Sequence, residues 1–361
     1  MMDLEWGEDF AALADVSKSV FARYSPLEDR SNEVPFVDQV AQFAELGWLE
    51  LGDPTGADAD SPALGTIAGV FVEMGRALAN TPLLDLMMAR DAALAIGTEI
   101  SAGFAERIGS GEAVVIPVFP SAEWGSAVTC ENGVLRGIAL AVGYADRANS
   151  FLVHASTGES IVAIVDSSSA ISIEAMPNMG GHPMFAVTFD NVPVADTVVL
   201  ARGGDADRAV EVAEQRGAVL RAAQVYGSAL RLLDITVLYA QQRHQFGGPI
   251  GRFQAVQYLC SDIAVAAHLT SAHARSAAGA IGAGLDPQPH IGLMRKQAAK
   301  AALQIVHSAH EVHAGIGYMV ESNVHLFTDA AKRWQYDFGS EARNDAEIVS
   351  ALDRIYTGAS R

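Results

Sequence analysis

Apolar residues recur at helical spacing through roughly the first third of the chain. In the first such segment Phe10, Leu13, Val16, Val20 and Phe21 are expected to fall on one face of a helix. Comparable patterns follow at residues 34–46, 64–79, 82–97 and 101–108, separated by Gly- and Pro-containing breaks. The pattern therefore predicts an α-helical N-terminal domain over residues 1–112.

The pattern changes near Gly109 to short runs rich in Val, Ile, Thr and Phe. Gly, Pro, Asn and Asp separate these runs, as they separate strands, and Asn132-Gly133 is a hairpin signal. Five runs read as strands: AVVIPVF, SFLVHA, SIVAIVD, ISIEAM and MFAVTFD. Residues 113–201 are therefore expected to form a middle β domain, a small barrel or a sandwich.

Long amphipathic patterns occupy the last part of the chain, after a linker at residues 202–207. Pro287 suits a helix start, and Gly315 and Gly317 mark a helix end. The four patterns span residues 209–243, 252–283, 287–314 and 323–356. They predict a C-terminal four-helix bundle over residues 207–361, and the fold class is α+β.

Composition limits the classes of function that fit the 361-residue chain. The formal net charge of −19 argues against a nucleic-acid-binding surface, which needs clustered Lys and Arg. The sequence has no apolar run long enough to cross a bilayer and no signal-peptide pattern at its start, so we expect a cytoplasmic protein with no membrane partner. Cys130 and Cys260 are expected to be buried free thiols.

The most informative stretch is YAQQRHQFGGPIGRFQAVQ at residues 239–257. One helical pattern ends at Gly247-Gly248, and the next begins at Arg252. Arg243 stands near the first helix end, where a cation suits the helix dipole. With Gln245 and Phe246 it offers a cation, an amide and an aromatic ring, which suit a phosphate and a flat ring system. The alternative is an ordinary helix stop with its C-terminal glycine.

Other candidate sites are weaker. His307, His310 and His313 recur every third residue, a spacing that spreads the rings around a helix, so core or interface histidines are favoured over metal ligands. We therefore predict no metal site. The sequence has no P-loop or GxSxG pattern and no dinucleotide-binding Gly-rich unit.

The order helical domain, β domain, helical bundle, with an RxQFG corner in the bundle, resembles the acyl-CoA dehydrogenase family. The segments at 239–257 and HEVHAGIGYMVE at 310–321 carry the resemblance, supported by residues 43–54, 72–84 and 179–194. The resemblance implies FAD bound between two subunits and oxidation of an acyl-CoA to its α,β-enoyl-CoA. A carboxylate removes the α proton, the flavin accepts a hydride, and an electron-transfer flavoprotein is the expected acceptor.

The resemblance also implies roles for the corner. Arg243 is expected to contact the FAD pyrophosphate of the partner subunit, Gln245 the same region, and Phe246 the cofactor surface. Gln254 is expected to contact the adenine end.

A second segment is expected to approach the ADP part of FAD. Glu311, Gly315 and Gly317 match the family motif QxxGGxG, in which glycine permits close approach. Glu311 replaces the family glutamine, and Ala314 replaces its first glycine. An acid facing a pyrophosphate is repelled, so Glu311 is expected to point elsewhere.

The β domain departs from the family at the residues that face flavin. In the segment 118–126 only Glu123, Gly125 and Ser126 echo the family pattern, and residues 136–143 lack its Lys, aromatic residue and Thr. This domain is therefore expected to hold an isoalloxazine ring poorly. The alternative is that divergent residues perform the same task.

The catalytic carboxylate is displaced at both positions the family uses. Near the C-terminus the match is YDFG, with Asp337 in place of a Glu. In the first bundle helix the position falls on Gly217, and Glu214 lies one turn earlier. A displacement of that size is serious for catalysis, and both acids are more typical of solvated helix surfaces.

Together these features predict one subunit of a hetero-oligomeric, α2β2 acyl-CoA dehydrogenase, similar to the smaller, catalytically degenerate subunit of actinobacterial steroid-type enzymes. A second acyl-CoA dehydrogenase subunit is expected to supply the base and most flavin contacts, with CoA thioesters of steroid side chains as substrate. The alternatives are a homo-oligomeric enzyme using Asp337 as base, or a flavin-free structural or regulatory homologue.

Overall fold

A computed structural model describes residues 4–28, 34–58, 60–121, 125–168, 170–194 and 198–357 of the chain. Its N-terminal part is helical, as predicted. Five helices form it: α1 (Phe10–Ala22), α2 (Phe36–Glu45), α3 (Leu64–Arg76), α4 (Leu83–Ile96) and α5 (Glu99–Gly109). Thr98 caps α5 because its hydroxyl accepts a hydrogen bond from the Ser101 amide. The Ser101 hydroxyl accepts a hydrogen bond from the Thr98 amide, which completes a capping box.

The central helix of this part is α3, which is buried along nearly its whole length. It packs against a long helix of the C-terminal part, α6 (Gly204–Gln242). At the crossing, a Cβ on Gly75 would lie 1.9 Å from the Gln224 carbonyl oxygen, and one on Gly227 would lie 1.9 Å from the Val72 carbonyl oxygen. Only glycine permits this approach of the two backbones.

Among the residues that the structure describes, eight strands form the middle part of the chain. They are β1 (Val115–Val118), β2 (Ala127–Glu131), β3 (Val134–Gly143), β4 (Ser150–Thr157), β5 (Glu159–Asp166), β6 (Ile171–Ala175), β7 (Met184–Pro193) and β8 (Val198–Arg202). One sheet has the order β1-β4-β5-β8, with β1 and β4 parallel, and the other has the antiparallel order β2-β3-β7-β6.

The two sheets share a core. Phe151 on β4 and Phe189 on β7 are fully buried and meet edge to face, 6.4 Å between ring centres. Asn132 and Gly133 both have positive φ and join β2 to β3, which confirms the hairpin predicted there. The predicted β domain is thus a pair of facing four-stranded sheets.

The C-terminal part is helical, with two differences from expectation. Besides α6 it contains α7 (Gln254–Gly282), α8 (Gln288–His313), α9 (Val324–Asp337) and α10 (Glu341–Thr357). The fourth predicted helix, residues 323–356, is divided after Asp337: Phe338 is buried and Gly339 has a positive φ. The predicted linker at 202–207 is shorter, because α6 begins at Gly204. The α+β fold class is confirmed.

Helix α6 sets the geometry of the candidate site. It has 39 residues and is therefore about 58 Å long. Its first half packs on α4, where Arg216 donates from Nε to Asp91 Oδ2 at 2.7 Å in a buried ion pair. Its far end carries Arg243 as the C-terminal cap. Features near the two ends of α6 are therefore far apart.

Candidate functional site

A cavity of about 270 Å³ lies where α4, β3, α6 and the end of α9 meet. Charged side chains from different helices converge on it. The lining residues that matter most are Asp85, Met88, Gly143, Glu214, Arg221 and Asp337. Both carboxylates weighed from the sequence, Glu214 and Asp337, are thus brought to one cavity.

Asp337 does not stand alone in this cavity. Its Oδ2 lies 3.1 Å from Arg221 Nε and 3.5 Å from Arg333 Nε. The side chains of Asp337 and Arg221 are only 22% and 10% exposed, so water screens their attraction weakly. Both guanidinium groups engage this carboxylate in ion pairs, which indicates a structural role for Asp337.

Arg221 is the buried cation of the cavity. Besides its contact with Asp337, its Nη1 donates to Gln224 Oε1 at 2.6 Å. Burial, followed by the like charge of Arg333, lowers the pKa of Arg221 to about 10, and the carboxylates of Asp337 and Asp85 oppose that shift. Arg221 therefore stays protonated at neutral pH. No sequence motif identifies Arg221, because its partner Asp337 lies on a separate helix.

At the second position where the family carries its base, this chain has Gly217 and no carboxylate. Gly217 faces the cavity, and a Cβ there would lie 2.6 Å from Met88 Sδ. Glu214 lines the cavity as a half-buried side chain one turn earlier. The structure therefore leaves Glu214 displaced along α6 by about 4–5 Å, as the spacing predicts.

Asp85 on α4 is a cavity carboxyl that sequence reasoning missed. Its Oδ2 is shielded from solvent and has no hydrogen-bond partner among the described residues. Burial raises the pKa of Asp85, and Arg221 and Arg333 only partly oppose that effect. A lone aspartate in an apolar helix carries no motif, so only its three-dimensional position identifies it.

A buried polar group stands behind Asp85, across Gly143. His182 is packed edge to face against Tyr144, and its Nδ1 is hydrogen-bonded to Asn80 Oδ1. Tyr144 also donates to Asn80 Oδ1, at 3.1 Å. Burial lowers the pKa of His182 well below its ordinary value and raises that of Tyr144, so both are neutral at pH 7.

The β-domain side of the cavity is mostly apolar and includes Pro117 and Phe119. Residues 139–143 of β3 line it, with a register shift between Ala139 and Val142 and a positive φ at Ala141. Ser126 is buried and accepts a hydrogen bond from the Leu140 amide at 2.8 Å, so its hydroxyl oxygen is used within the domain. Gly125 has a positive φ, and Glu123 lies outside the described residues.

The corner predicted at residues 243–254 is a tight turn between α6 and α7. Its two short strands, β9 (His244–Gln245) and β10 (Gly248–Pro249), pair across Phe246 and Gly247, which both have positive φ. The Ile250 amide donates to the Arg243 carbonyl at 2.8 Å, and Arg252 donates to the Phe246 carbonyl. The corner is thus held by its own backbone.

The side chains predicted to bind cofactor point outward from this corner. Phe246 is 85% exposed and meets Phe253 edge to face, 5.9 Å between ring centres. Arg243 and Gln245 are exposed, and neither side chain has a hydrogen-bond or ion-pair partner among the described residues. Gln254 is exposed and donates to the Tyr258 hydroxyl. These side chains are available to a ligand or partner.

The second predicted segment forms the end of α8 and the turn after it. Glu311 is exposed and lies 3.5 Å from His307 Nε2, one helical turn earlier. Gly315 is exposed with open space around it, whereas Gly317 is buried: a Cβ there would lie 2.8 Å from His310 Nδ1 and 3.3 Å from His313 Cβ. Packing on the two histidines is therefore a sufficient reason for glycine at 317.

Aromatic contacts join the two predicted segments. Tyr239 at the end of α6 stacks on His313 of α8, with 4.3 Å between ring centres, and His310 stacks on Tyr318 at 4.2 Å. His310 Nε2 is also hydrogen-bonded to Thr328 Oγ1 at 2.7 Å. The corner and the 314–318 turn thus form one surface.

That surface is far from the cavity. Arg243 follows Arg221 by 22 residues of the same helix, a distance of about 33 Å along its axis. The structure therefore brings Asp337 and Glu214 to one site and Arg243, Gln245, Phe246 and Gln254 to another.

Other classes of site are absent from the described part of the chain. Within the described ranges, no three His, Cys, Asp or Glu side chains are grouped as metal ligands would be. Nor does any helix built from the described residues combine the length and hydrophobicity needed to span a membrane. Cys130 and Cys260, expected to be buried, are half-buried free thiols.

Comparison with known proteins agrees with this architecture. The chain is similar to FadE28 of Mycobacterium tuberculosis, an acyl-CoA dehydrogenase, with 26% identity over 206 residues that span 57% of this chain and 59% of FadE28. Its fold matches the ChsE4–ChsE5 complex of the same organism with a TM-score of 0.83 at 24% identity, covering 100% of both chains.

A second solved structure, the Tcur3481–Tcur3483 steroid acyl-CoA dehydrogenase, matches with a TM-score of 0.83 at 21% identity, covering 98% of this chain and 99% of that one. Both structural similarities establish the fold. The family model described as "Acyl-CoA dehydrogenase, C-terminal domain" matches residues 208–348, which include the corner and Asp337. The sequence motifs, the fold and the relatives are all similar to those of the acyl-CoA dehydrogenase family, and the family model covers residues 208–348 of this chain.

Proposed function

We propose that this chain is one subunit of an FAD-dependent acyl-CoA dehydrogenase and that its 243–254 corner completes the FAD site of a second subunit. The observation that carries the proposal is the separation of about 33 Å between Arg243 and the cavity at Arg221 on one rigid helix. Side chains that lie so far from the cavity and point away from their own chain support a role at a site on a second subunit.

The corner fits the ADP half of FAD chemically. Arg243 offers a planar guanidinium that suits a pyrophosphate, and Gln245 adds an amide donor beside it. Phe246 offers an exposed ring for a flat ligand surface. Gly315 adds backbone without a side chain on the adjoining turn. Glu311 sits beside His307 at the edge of this surface.

The cavity fits an isoalloxazine ring poorly. Its volume of about 270 Å³ is below the roughly 300–1,000 Å³ of pockets that enclose cofactors and drug-sized ligands. Ser126 is used by the Leu140 amide, and Met88 fills the space in front of Gly217. In our proposal the flavin ring is therefore held mainly by the second subunit.

An exposed apolar surface beside the corner supports a partner subunit. On α7, Tyr258, Val265 and Leu269 follow one another at intervals of seven and four residues and are all exposed. In the segment 316–320, Ile316, Tyr318, Met319 and Val320 are also exposed. Exposed apolar residues in such numbers support a protein interface.

The chemistry then divides between the subunits. FAD, when bound, accepts the hydride from the β carbon of the acyl-CoA. This chain contributes the Arg243 corner. The second subunit supplies the base for the oxidation, because Asp337 is ion-paired with Arg221 and Arg333. The Tcur3481–Tcur3483 and ChsE4–ChsE5 similarities support a heteromeric assembly, which we propose to be α2β2, and the former supports a steroid-type thioester as substrate. An electron-transfer flavoprotein is the proposed acceptor.

The experiment is co-expression with the second subunit and measurement of FAD per complex. The wild-type complex is expected to purify with bound flavin, Arg243→Ala to lose most of it, and Arg243→Lys to keep part of it because the charge remains. Arg208→Ala, an exposed arginine near the other end of α6, is the matched control. Unchanged FAD content in Arg243→Ala would exclude the cross-subunit role.

One observation favours a second candidate, a homo-oligomeric enzyme using Asp337: this carboxylate does line the cavity. Expression of this chain without the second subunit separates the candidates. A complex of this chain alone that binds FAD, oxidises acyl-CoA and loses turnover in Asp337→Asn supports the homo-oligomer. A colourless complex that takes up no FAD supports a flavin-free structural or regulatory homologue.

A further inference from the structure

Three carboxyl groups line the cavity of this chain, and their surroundings differ. Asp337 is ion-paired with Arg221 and Arg333. Glu214 is half-buried on α6. Asp85 alone combines a position on the cavity wall with a solvent-shielded, unpartnered oxygen. A carboxyl with an unmet hydrogen-bonding oxygen beside a cavity is a candidate for chemistry.

The hydrogen bonds of Asn80 fix the tautomer of His182 behind Asp85. Asn80 Nδ2 donates to the Gly181 carbonyl at 3.3 Å, so its Oδ1 is the atom that faces His182 and Tyr144. An amide oxygen only accepts, so His182 Nδ1 carries the proton. In the neutral ring Nε2 is then a free acceptor.

That acceptor faces Asp85 across Gly143. A Cβ on Gly143 would lie 3.0 Å from His182 Nε2 and 3.0 Å from Asp85 Oδ1. The two atoms are therefore no more than about twice that distance, 6.0 Å, apart. A small movement of the aspartate, or one intervening water, lets a protonated Asp85 donate to His182 Nε2.

We propose that Asp85 is a proton-accepting catalytic residue in this chain's own cavity, separate from the base that the second subunit supplies for the flavin-dependent oxidation, with His182 as the positioning residue that receives a hydrogen bond from its protonated form. The reaction is reversible removal of the α proton of a short acyl-CoA thioester. The Cα–H bond breaks, an O–H bond forms on Asp85, and the electron pair moves onto the thioester carbonyl oxygen. Return of a proton reverses each change, so no oxidant is needed.

The charges around Asp85 suit this role. Burial raises the pKa of Asp85 towards the range in which a general base works. The charges of Arg221 and Arg333 lower this pKa, and the charge of Asp337 raises it. Arg221 also lines the cavity, where a guanidinium stabilises an enolate oxygen. His182 and Tyr144 are the neutral groups behind it.

The test is α-deuterium incorporation into butyryl-CoA by the flavin-free full chain in D2O, followed by mass spectrometry. Wild-type protein is expected to exchange the α position, and Asp85→Asn to slow the exchange by about a hundredfold. His182→Gln is expected to slow it less and to lower the pH midpoint of the rate, since the protonated carboxyl loses its acceptor. Asp166→Asn, at the end of β5, is the remote control.

Three results would overturn the proposal: exchange unchanged in Asp85→Asn, no exchange above background by the wild-type chain, or exchange abolished by Asp337→Asn and kept by Asp85→Asn. The pH profile of the wild-type rate gives a reading that does not depend on any variant folding: it must rise with pH and then level. The role of Asp85 rests on the proposed function only for its ligand class, an acyl-CoA thioester. FAD content separates the two, because Asp85→Asn keeps it and Arg243→Ala lowers it.

Discussion

Arg221 Nε on α6 lies 3.1 Å from Asp337 Oδ2 at the end of α9, where both side chains are largely buried. The pair closes the cavity on the side where the family places a catalytic carboxylate. Because Arg333 approaches the same oxygen at 3.5 Å, the carboxylate is held by two cations. This contact makes Asp337 a structural group in the proposed heteromer.

Asp337→Asn should therefore destabilise the chain. It leaves Arg221 buried without its countercharge, a change that costs about 3–5 kcal/mol for a fully buried pair and about half of that here because both groups are partly exposed. Urea unfolding measures the loss of unfolding free energy, with Glu106→Gln, at an exposed position of α5, as control. Turnover of the complex should be unchanged; a large loss of turnover at unchanged stability would instead assign the base to Asp337.

Gly227→Ala should be one of the most destabilising small substitutions in the chain. The added Cβ would lie 1.9 Å from the Val72 carbonyl oxygen, which is backbone and has nowhere to move. Separating α3 from α6 costs about 1–3 kcal/mol or more. Gly103→Ala in α5 has open space around it and should stabilise by up to about 1 kcal/mol. Thermal unfolding distinguishes the pair, and equal effects would contradict the tight crossing.

The sequence predicted local features better than contacts between distant segments. The Asn132-Gly133 hairpin was predictable because its two residues determine the turn by themselves. The strands β2, β3 and β8 were not among the five predicted runs; the sequence of β3, VLRGIALAVG, contains two glycines and alternates weakly. The division of the last helix was missed because a buried Phe338, unlike a proline, gives no local signal.

The candidate site was half predictable for the same reason. Arg243, Gln245 and Phe246 are contiguous, so a motif could identify them and their exposure agrees with a binding role. Asp85 and Arg221 are 136 residues apart. Only the folding of α4 against α6 brings them to one cavity.

Acidification should destabilise the chain through His182. Burial lowers its pKa in the folded state, so below about pH 6.5 the unfolded chain binds a proton that the folded chain does not. The unfolding free energy then falls as pH drops, by up to about 1.4 kcal/mol per pH unit for this group.

The pH slope needs a control because other groups contribute. His310 and His313 also have lowered pKa values from burial and add to the slope. Asp85, whose pKa is raised, acts in the opposite sense: its contribution is complete below about pH 3.8 and is lost as pH rises through its folded pKa. The difference between wild type and His182→Gln from pH 7 to 5 isolates His182. Parallel curves would show that His182 is already charged in the folded chain.

Two glycines of the 314–318 turn, Gly317 and Gly315, distinguish packing within the chain from close approach of the partner's cofactor. Gly317→Ala places a Cβ 2.8 Å from His310 Nδ1 and should shift the His310–Tyr318 stack, lowering both stability and FAD content of the complex. Gly315→Ala meets no atom within 4 Å in the chain and should leave its stability within about 0.5 kcal/mol. Because Gly315 is exposed beside the corner, its new methyl group should still lower FAD content if the partner's cofactor approaches this backbone. Thermal unfolding of the chain and flavin absorbance of the complex give the two readings, and full FAD content in Gly315→Ala would place the ADP contact elsewhere on the surface.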